Sequence, residues 1–286
     1  MQGSLRIMTP RMFGRAGLYV LLVCVLGLIL FPIYWMLITS LKPPSEAFRL
    51  PPTLWPEAFS GEAYPYVAQA WEYWPTLLNT LIVAGFSGLG ATLVGGLAAY
   101  GFSRMQFPGK SVLFGFIVIS MALPGMVTIG PIFLDYTQLN LLDTLQGLIL
   151  VNVSGGIPLA ILTLYTFLNA IPRELDEAAA IDGCSRAMII FKVIGPLAAP
   201  GLMVSALLIF IAVWNEFLYA FTLTVTPASR LLNVRLMEVP VREGVQTIPY
   251  DLIAAGGMLC LLPLLPILIG ARRQLVDGLL AGSLKG

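Results

Sequence analysis

The stretch ELDEAAAIDG, residues 174–183, carries four carboxylates in a chain that is 58% apolar. Pro172 precedes it, and proline suits the first position of a helix because its missing N–H has no intrahelical partner there. Glu174 and Asp176 follow, where negative charge complements the positive end of the helix dipole. Gly183 then fits the left-handed position that closes a helix. The stretch therefore predicts a helix of roughly ten residues, closed at both ends.

On either side of this helix the chain is strongly apolar. Only 11% of its 286 residues are charged, against about a quarter in soluble proteins, and the mean hydropathy is +0.87. Six uncharged runs are long enough for the roughly 20 residues of a spanning helix. They lie at 16–41, 73–103, 111–134, 144–172, 193–215 and 252–271. We therefore predict an all-α integral membrane protein with six transmembrane helices.

Basic residues predict how this bundle lies in the membrane, because short cytoplasmic loops retain Lys and Arg. With the N-terminus inside, 11 of the 16 basic residues fall in cytoplasmic segments. Both termini are therefore expected in the cytoplasm, and so is the loop at 171–201. The first apolar run follows three arginines, but it is longer than the roughly 7 to 15 residues of a signal-peptide core. We expect it to remain as an uncleaved first helix.

The expected organisation divides the chain into five segments. They are a cytoplasmic N-terminus at 1–15, a first transmembrane helix at 16–41, an extracytoplasmic loop at 42–74, a core of five helices at 75–271 that contains the loop 171–201, and a cytoplasmic tail at 272–286. The dense prolines of the outer loop oppose continuous helix, so an extended, packed loop is predicted there. Trp71, Tyr73 and Trp74 are expected to anchor the chain at the outer membrane interface.

Small residues and breaks mark the apolar runs. Small side chains at four-residue spacing let membrane helices approach closely. The second run has two such rows: Ser87, Ala91, Gly95 and Ala99, beside Ala84, Gly88, Thr92 and Gly96. Proline and glycine interrupt the third and fourth runs near 124, 131 and 158. Such breaks are tolerated where backbone lines a cavity or is covered by protein, so a transport pathway and a static kinked bundle both remain open.

Three interpretations of the acidic helix are possible. A helix this short is marginal in water, and Ala178, Ala179 and Ala180 make it slim, which favours docking in a groove of another protein. A solvated loop is the plainer alternative. Acid–base catalysis or a metal site is disfavoured because the chain has no His and the acids lie in a short loop that is expected in the cytoplasm. We identify no catalytic residue and no metal ligand.

Elsewhere, Glu216 stands out as the one acid assigned to a predicted span, since it directly follows the uncharged run 193–215. An ionisable group at membrane depth is by default a functional candidate. Glu216 is therefore a candidate pathway residue, with Asn79 and Asn215 as weaker candidates. Pairing with a neighbouring helix would explain the same residue without a transport role.

The motif EAAAIDG, followed by the run that ends IGPLAAPG, resembles the EAA loop of permease subunits in binding-protein-dependent ABC importers. Glu177, Ala178, Ala179 and Gly183 fall on the fixed positions of that motif. Three further segments resemble the carbohydrate branch of this family, as in maltose-type permeases. They are residues 79–110, WNEFLYAF at 214–221 and RRQLVDGLLAGSLKG at 272–286. ARRQ and AGSLKG depart slightly from the usual endings, and these departures leave the sugar undetermined; a polyol or a sugar phosphate also remains open.

The resemblance implies a type I ABC importer permease fold in a bacterial or archaeal cytoplasmic membrane. It implies a second permease subunit, usually a different chain so that a heterodimer is expected, two ATPase subunits and a soluble extracytoplasmic sugar-binding protein. The EAA loop would be the coupling helix that docks on the ATPase, with Glu174, Glu177, Ala178, Ala179, Asp182 and Gly183 as its coupling residues. In the tail, Gly282, Lys285 and Gly286 are expected to contact the ATPase.

The sequence agrees with a separate ATPase subunit. It has no G-x-x-x-x-G-K-[ST] phosphate loop, so ATP and Mg²⁺ are expected on the partner ATPase and no cofactor on this chain. The lipid bilayer is an expected partner and nucleic acid is not. A secondary transporter or channel for a small polar solute is the main alternative, and a membrane enzyme is the other. Co-purification with an ATPase subunit would separate these classes.

Overall fold

The computed structural model describes residues 10–242 and 248–272, and of residues 10–16 it describes the backbone. Within these ranges the regular structure is helical throughout, as predicted. The chain divides into two compact units. Of the described residues, the first holds those up to Ala70 and those of Val239–Leu261, and the second holds Trp71–Glu238 and those from Leu262 to Arg272.

In the first unit, a long helix packs against a helix from the far end of the chain. Helix α1 (Pro10–Ser40) contacts α13 (Tyr250–Leu261), and the approach is close enough that a Cβ on Gly257 would lie 2.5 Å from the sulfur of Met36. Residues 17–34 of α1 are all exposed. An apolar helix this exposed suits lipid or another membrane chain as its surroundings.

The segment 42–74 that follows α1 differs from its prediction, because it is partly helical. It contains α2 (Pro44–Ala47) and α3 (Ala63–Ala70). Pro44 stands at the start of α2, where a proline without its N–H costs no hydrogen bond. The remainder is packed as expected: the Glu46 carboxylate accepts bonds from the Thr53 hydroxyl at 2.5 Å and the Glu57 N–H at 3.1 Å.

In the second unit, three spanning helices form the core. Helix α4 (Tyr73–Arg104) packs on α7 (Leu145–Ala170) and on α10 (Gly195–Trp214). A Cβ on Gly95 would lie 2.4 Å from the Cβ of Ala160, and one on Gly88 would lie 2.8 Å from the carbonyl oxygen of Ala206. The small residues of α4 therefore lie at helix–helix contacts, which confirms the packing prediction.

The predicted third span at 111–134 is broken. It consists of α5 (Lys110–Ser120) and α6 (Gly125–Gln138), which meet at 93°. The break falls at Pro124, which caps α6 with extended backbone and has no N–H to continue α5. Among the described residues there are five helices long and apolar enough to span a membrane, and six if the bent pair counts as one.

The remaining helices lead through the second unit to its last loop. They are α8 (Glu174–Ile181), α9 (Arg186–Met188), which runs through a π-helical turn at Ile189–Ile194 into α10, α11 (Leu218–Leu223) and α12 (Leu232–Arg235). The π turn lies directly before Pro196 and lets the N–H of Gly195 reach the carbonyl of Ile190, five residues back. A π bulge is one way for a helix to accommodate a proline.

The aromatic belt prediction is wrong for two of its three residues. Trp71 is 1% exposed and Tyr73 is 8% exposed, whereas Trp74 is 75% exposed. The side chains of Trp71 and Tyr73 turn into the protein because α4 begins beside them and packs on that side. Trp74 alone has the exposure of an interfacial anchor.

Candidate functional site

Helix α8 is short and closed at its C-terminal end, as the sequence predicts. Gly183 has a φ of +83°, the left-handed conformation that a side chain would strain. The N–H of Cys184 donates to the Ala179 carbonyl at 3.0 Å, and the N–H of Gly183 donates to the Ala180 carbonyl at 3.1 Å. This pair of bonds is the Schellman motif. The predicted glycine stop is therefore confirmed.

The start of α8 differs slightly from the prediction. Arg173 precedes the first helical residue and its carbonyl accepts from the N–H groups of Asp176 and Glu177. Pro172 thus lies two residues before the first helical position, Glu174, and α8 has 8 residues. Three acids, Glu174, Asp176 and Glu177, occupy its first turn, where the helix dipole favours negative charge.

The predicted coupling residues are divided between two faces of α8. Ala179 is buried, at 8% exposure, in an apolar cluster that α4, α7, the π turn and the start of α10 supply: Ala99, Leu164, Leu168, Ile189, Ile194 and Ala198. Glu174, Glu177, Ala178, Asp182 and Gly183 are exposed. The exposed side also carries Ile181, at 86% exposure, and Leu175, at 39%. Acids flanking exposed aliphatic side chains form a surface suited to a protein partner.

Asp176 lies on the inward side of α8, which no local sequence pattern predicts. Its Oδ2 lies 3.0 Å from Nε of Arg104, and its Oδ1 accepts from the Tyr100 hydroxyl at 2.8 Å. The Arg104 side chain is 7% exposed and that of Asp176 is 16% exposed. The sequence did not predict Arg104 and Tyr100 as partners of Asp176, because they lie about 75 residues from it in the chain. Their four-residue spacing at the end of an apolar run was the available signal, since it places both side chains on one face of a helix.

The residues after α8 lead back into the spanning bundle. The Ser185 hydroxyl accepts from the N–H of Met188 at 3.3 Å and so caps the helix that begins at Arg186. From Arg186 to Trp214 the helix is continuous, including its π turn. Helix α8 is therefore joined to a spanning helix through a four-residue link, 182–185.

The three candidate pathway residues lie at the other end of this unit and bind its own backbone. Glu216 lies beyond α10, because that helix ends at Trp214. Its carboxylate accepts from the N–H groups of Tyr219 at 2.8 Å and Ala220 at 3.1 Å, and so caps α11. The Asn215 amide donates to the Ile211 carbonyl at 2.8 Å. The Asn79 amide donates to the carbonyls of Ala228 at 2.7 Å and Arg230 at 3.3 Å. These are structural bonds, and a pathway role stays a prediction.

The tail residues Gly282, Lys285 and Gly286 lie outside the described residues. Their predicted contact with an ATPase therefore rests on the sequence alone.

Comparison with known proteins agrees with the architecture. Residues 91–274 match the family model described as "Binding-protein-dependent transport system inner membrane component". The chain is 33% identical to the trehalose transport system permease protein SugB of Mycobacterium tuberculosis, over 92% of this chain and 94% of that one. It is 30% identical to the diacetylchitobiose uptake system permease protein DasC of Streptomyces coelicolor, over 98% of this chain and all of that one.

A solved structure shares the fold. A chain of a bacterial ABC transporter involved in the import of the acidic polysaccharide alginate superposes with a TM-score of 0.76, at 22% identity, over 95% of this chain and 99% of that chain. The type I ABC importer permease fold is thereby supported independently of close sequence similarity. The resemblance to carbohydrate permeases is confirmed by the relatives. The chain belongs to the inner membrane components of binding-protein-dependent transport systems, and it is a multi-pass permease subunit of the cytoplasmic membrane and not an enzyme.

Proposed function

We propose that this chain forms half of the translocation pathway of an ATP-driven sugar importer and is coupled to a separate ATPase through α8. The single observation that carries the proposal is the exposed face of α8, where Glu174 and Glu177 flank Ile181 on a helix closed by the Schellman motif. The relatives that transport trehalose and diacetylchitobiose support a sugar as the solute. The sequence lacks a phosphate loop, so ATP and Mg²⁺ would be held by the partner.

In this proposal α8 and both termini face the cytoplasm. Arg104, Arg173 and Arg186 lie around α8, with Asp176 among them, and the distribution of Lys and Arg along the chain supports a cytoplasmic location for this end. The opposite segments, 42–74 and 227–250, would face outward. Both segments contain several prolines and charged residues, a composition that suits docking of a soluble sugar-binding protein. A second permease chain would complete the pathway, and two ATPase subunits would lie below the pair.

The coupling follows from how α8 is attached. Closure of the ATPase around ATP would displace the docked helix, and the link 182–185 is too short to absorb the displacement. The Ser185 cap and the continuous helix from Arg186 to Trp214 would carry it across the membrane. Coupling free energies between linked sites are typically about 1–3 kcal/mol, so one strong docking contact is enough to matter.

Reversal of the charge at Glu177 tests the proposal. Glu177→Lys should insert normally but lose ATP-driven sugar uptake, because an exposed acid of the docking face is replaced by a cation. Lys192→Glu is the matched control: it reverses an exposed charge on the π turn, outside α8 itself, and should keep uptake. Uptake, co-purification of the ATPase subunit and ATP hydrolysis would be measured in the reconstituted complex. Sugar-stimulated hydrolysis at the wild-type rate in the Glu177→Lys complex would refute the docking role.

A further inference from the structure

The inward face of α8 carries a second link to the bundle besides the covalent one. Asp176 and Ala179 are three residues apart and lie on the same side of the helix. Ala179 is packed among apolar side chains, while the Asp176 carboxylate binds two side chains of α4, Tyr100 and Arg104. A charged group is retained in this nearly buried position, although an apolar residue would avoid the cost of desolvation.

The link has four polar contacts, in addition to the apolar one. Besides the two contacts of Asp176, Nη2 of Arg104 donates to the Ile171 carbonyl at 2.9 Å. In the reverse direction, Nη2 of Arg173 donates to the Ser103 carbonyl at 2.8 Å. The end of α4 and the start of the α8 loop are therefore bonded to each other from both sides, at a distance of about 70 residues in the chain.

Helix α4 continues from this link to the far side of the unit. It has 32 residues, or about 48 Å at 1.5 Å per residue. Near its other end, the Thr80 hydroxyl accepts from the N–H of Leu232 at 3.0 Å, and Asn79 binds the carbonyl of Ala228. One rigid helix thus connects the neighbourhood of α8 with the loop that follows α11.

The geometry points to Arg104, Tyr100 and Asp176 as a latch that makes α4 move with α8, so that displacement of the docked helix reaches the outer loop 228–232 through α4 as well as through α10. This inference rests on the proposed docking of α8. The three side chains are positioning residues: they touch neither the sugar nor the ATPase. Without the latch, α8 would stay docked but would move α10 alone, and ATP hydrolysis would become uncoupled from transport.

A set of charge-removing variants separates this role from simple stability. Arg104→Gln and Asp176→Asn each leave one nearly buried charge without its partner, which destabilises. The double variant Arg104→Gln/Asp176→Asn leaves no unpaired charge, so it should accumulate in the membrane and bind the ATPase like wild type. It should nevertheless show at least fivefold lower sugar uptake, with hydrolysis no longer accelerated by the sugar-loaded binding protein. Lys192→Gln is the control for loss of a cation at this end and should transport normally.

The outcomes distinguish the latch from the proposed function. Uptake in the double variant within twofold of wild type would overturn the latch while leaving docking intact. Loss of the ATPase subunit from the double variant would also overturn it, because Asp176 would then belong to the docking surface. Tyr100→Phe, which removes one hydroxyl and keeps the ion pair, should lower uptake less than the double variant. The proposed function itself would fail in the wild-type measurement: the wild-type chain would then neither bind an ATPase nor import sugar with ATP.

Discussion

Replacing Gly95 by alanine would test how closely α4 and α7 must pack. A Cβ at this position would lie 2.4 Å from the Cβ of Ala160, 3.2 Å from the carbonyl oxygen of Ile157 and 3.3 Å from the backbone nitrogen of Ile161. Carbon atoms in good contact are about 3.5–4.0 Å apart, so the helices would have to separate by about 1 Å. None of these neighbours is the end of a flexible side chain, and the overlap can be relieved only by moving backbone.

The expected cost follows from two opposing effects. Overpacking a well-packed contact costs about 1–3 kcal/mol, whereas Gly to Ala within a helix gains about 1 kcal/mol. Gly85 on the same helix is a matched control, because a Cβ there meets nothing within 4 Å. Gly85→Ala should receive the gain without the overlap. The difference between the two variants therefore isolates the steric cost, about 1–3 kcal/mol.

The assay is the apparent melting temperature of the purified complex in detergent. At about 2–4 °C per kcal/mol for a large domain, a cost of about 2 kcal/mol places Gly95→Ala about 4–8 °C below Gly85→Ala. The double variant Gly95→Ala/Ala160→Gly moves the methyl group from one helix to the other and should return the melting temperature towards wild type. Equal melting of Gly95→Ala and Gly85→Ala, or no recovery in the double variant, would refute the close approach of α4 and α7.

Two further predictions concern the closing glycine of α8 and the loop at the far end of the unit. Gly183→Ala places a Cβ at a φ of +83°, which costs roughly 1–2 kcal/mol, and this variant should co-purify less ATPase. Gly183→Asn should lose less of the ATPase, because the asparagine side chain tolerates this conformation. Equal losses of ATPase in the two variants would argue against a closing role for Gly183. The Asp143 carboxylate accepts from the N–H groups of Val225 at 2.7 Å and Thr226 at 2.9 Å, and from the hydroxyls of Thr226 and Ser229. Partial burial opposes its charge, but these hydrogen bonds outweigh burial and hold the pKa of Asp143 below its usual range. A lowered folded-state pKa contributes stability above the unfolded value of about 4, and this is lost as pH falls through the folded pKa. The melting difference between wild type and Asp143→Asn should therefore be full at pH 7 and shrink below about pH 4; a difference unchanged at low pH would contradict the role of the charge.

The coupling site shows where sequence reasoning succeeds and where it stops. The acids, the glycine stop and the Ser185 cap depend on residues within one or two helical turns, and all three were predictable. The direction in which Asp176 points was not, because it depends on Arg104, which the fold brings to it from another helix. Glu216 illustrates the same limit. It was assigned to a span, but it lies two residues beyond the end of α10, and its carboxylate binds the N–H groups of the next helix.

The sequence by itself determined that this chain is a helical membrane protein, where its small-residue contacts lie and that a capped acidic helix interrupts its apolar runs. These features follow from local composition, since burial in lipid and helix closure act on neighbouring residues. Only the tertiary structure decided that the third span turns by 93°, that Trp71 is buried and that α8 is bound to α4 through Asp176. Each of these depends on contacts between residues far apart in the chain, whose partners no local pattern identifies.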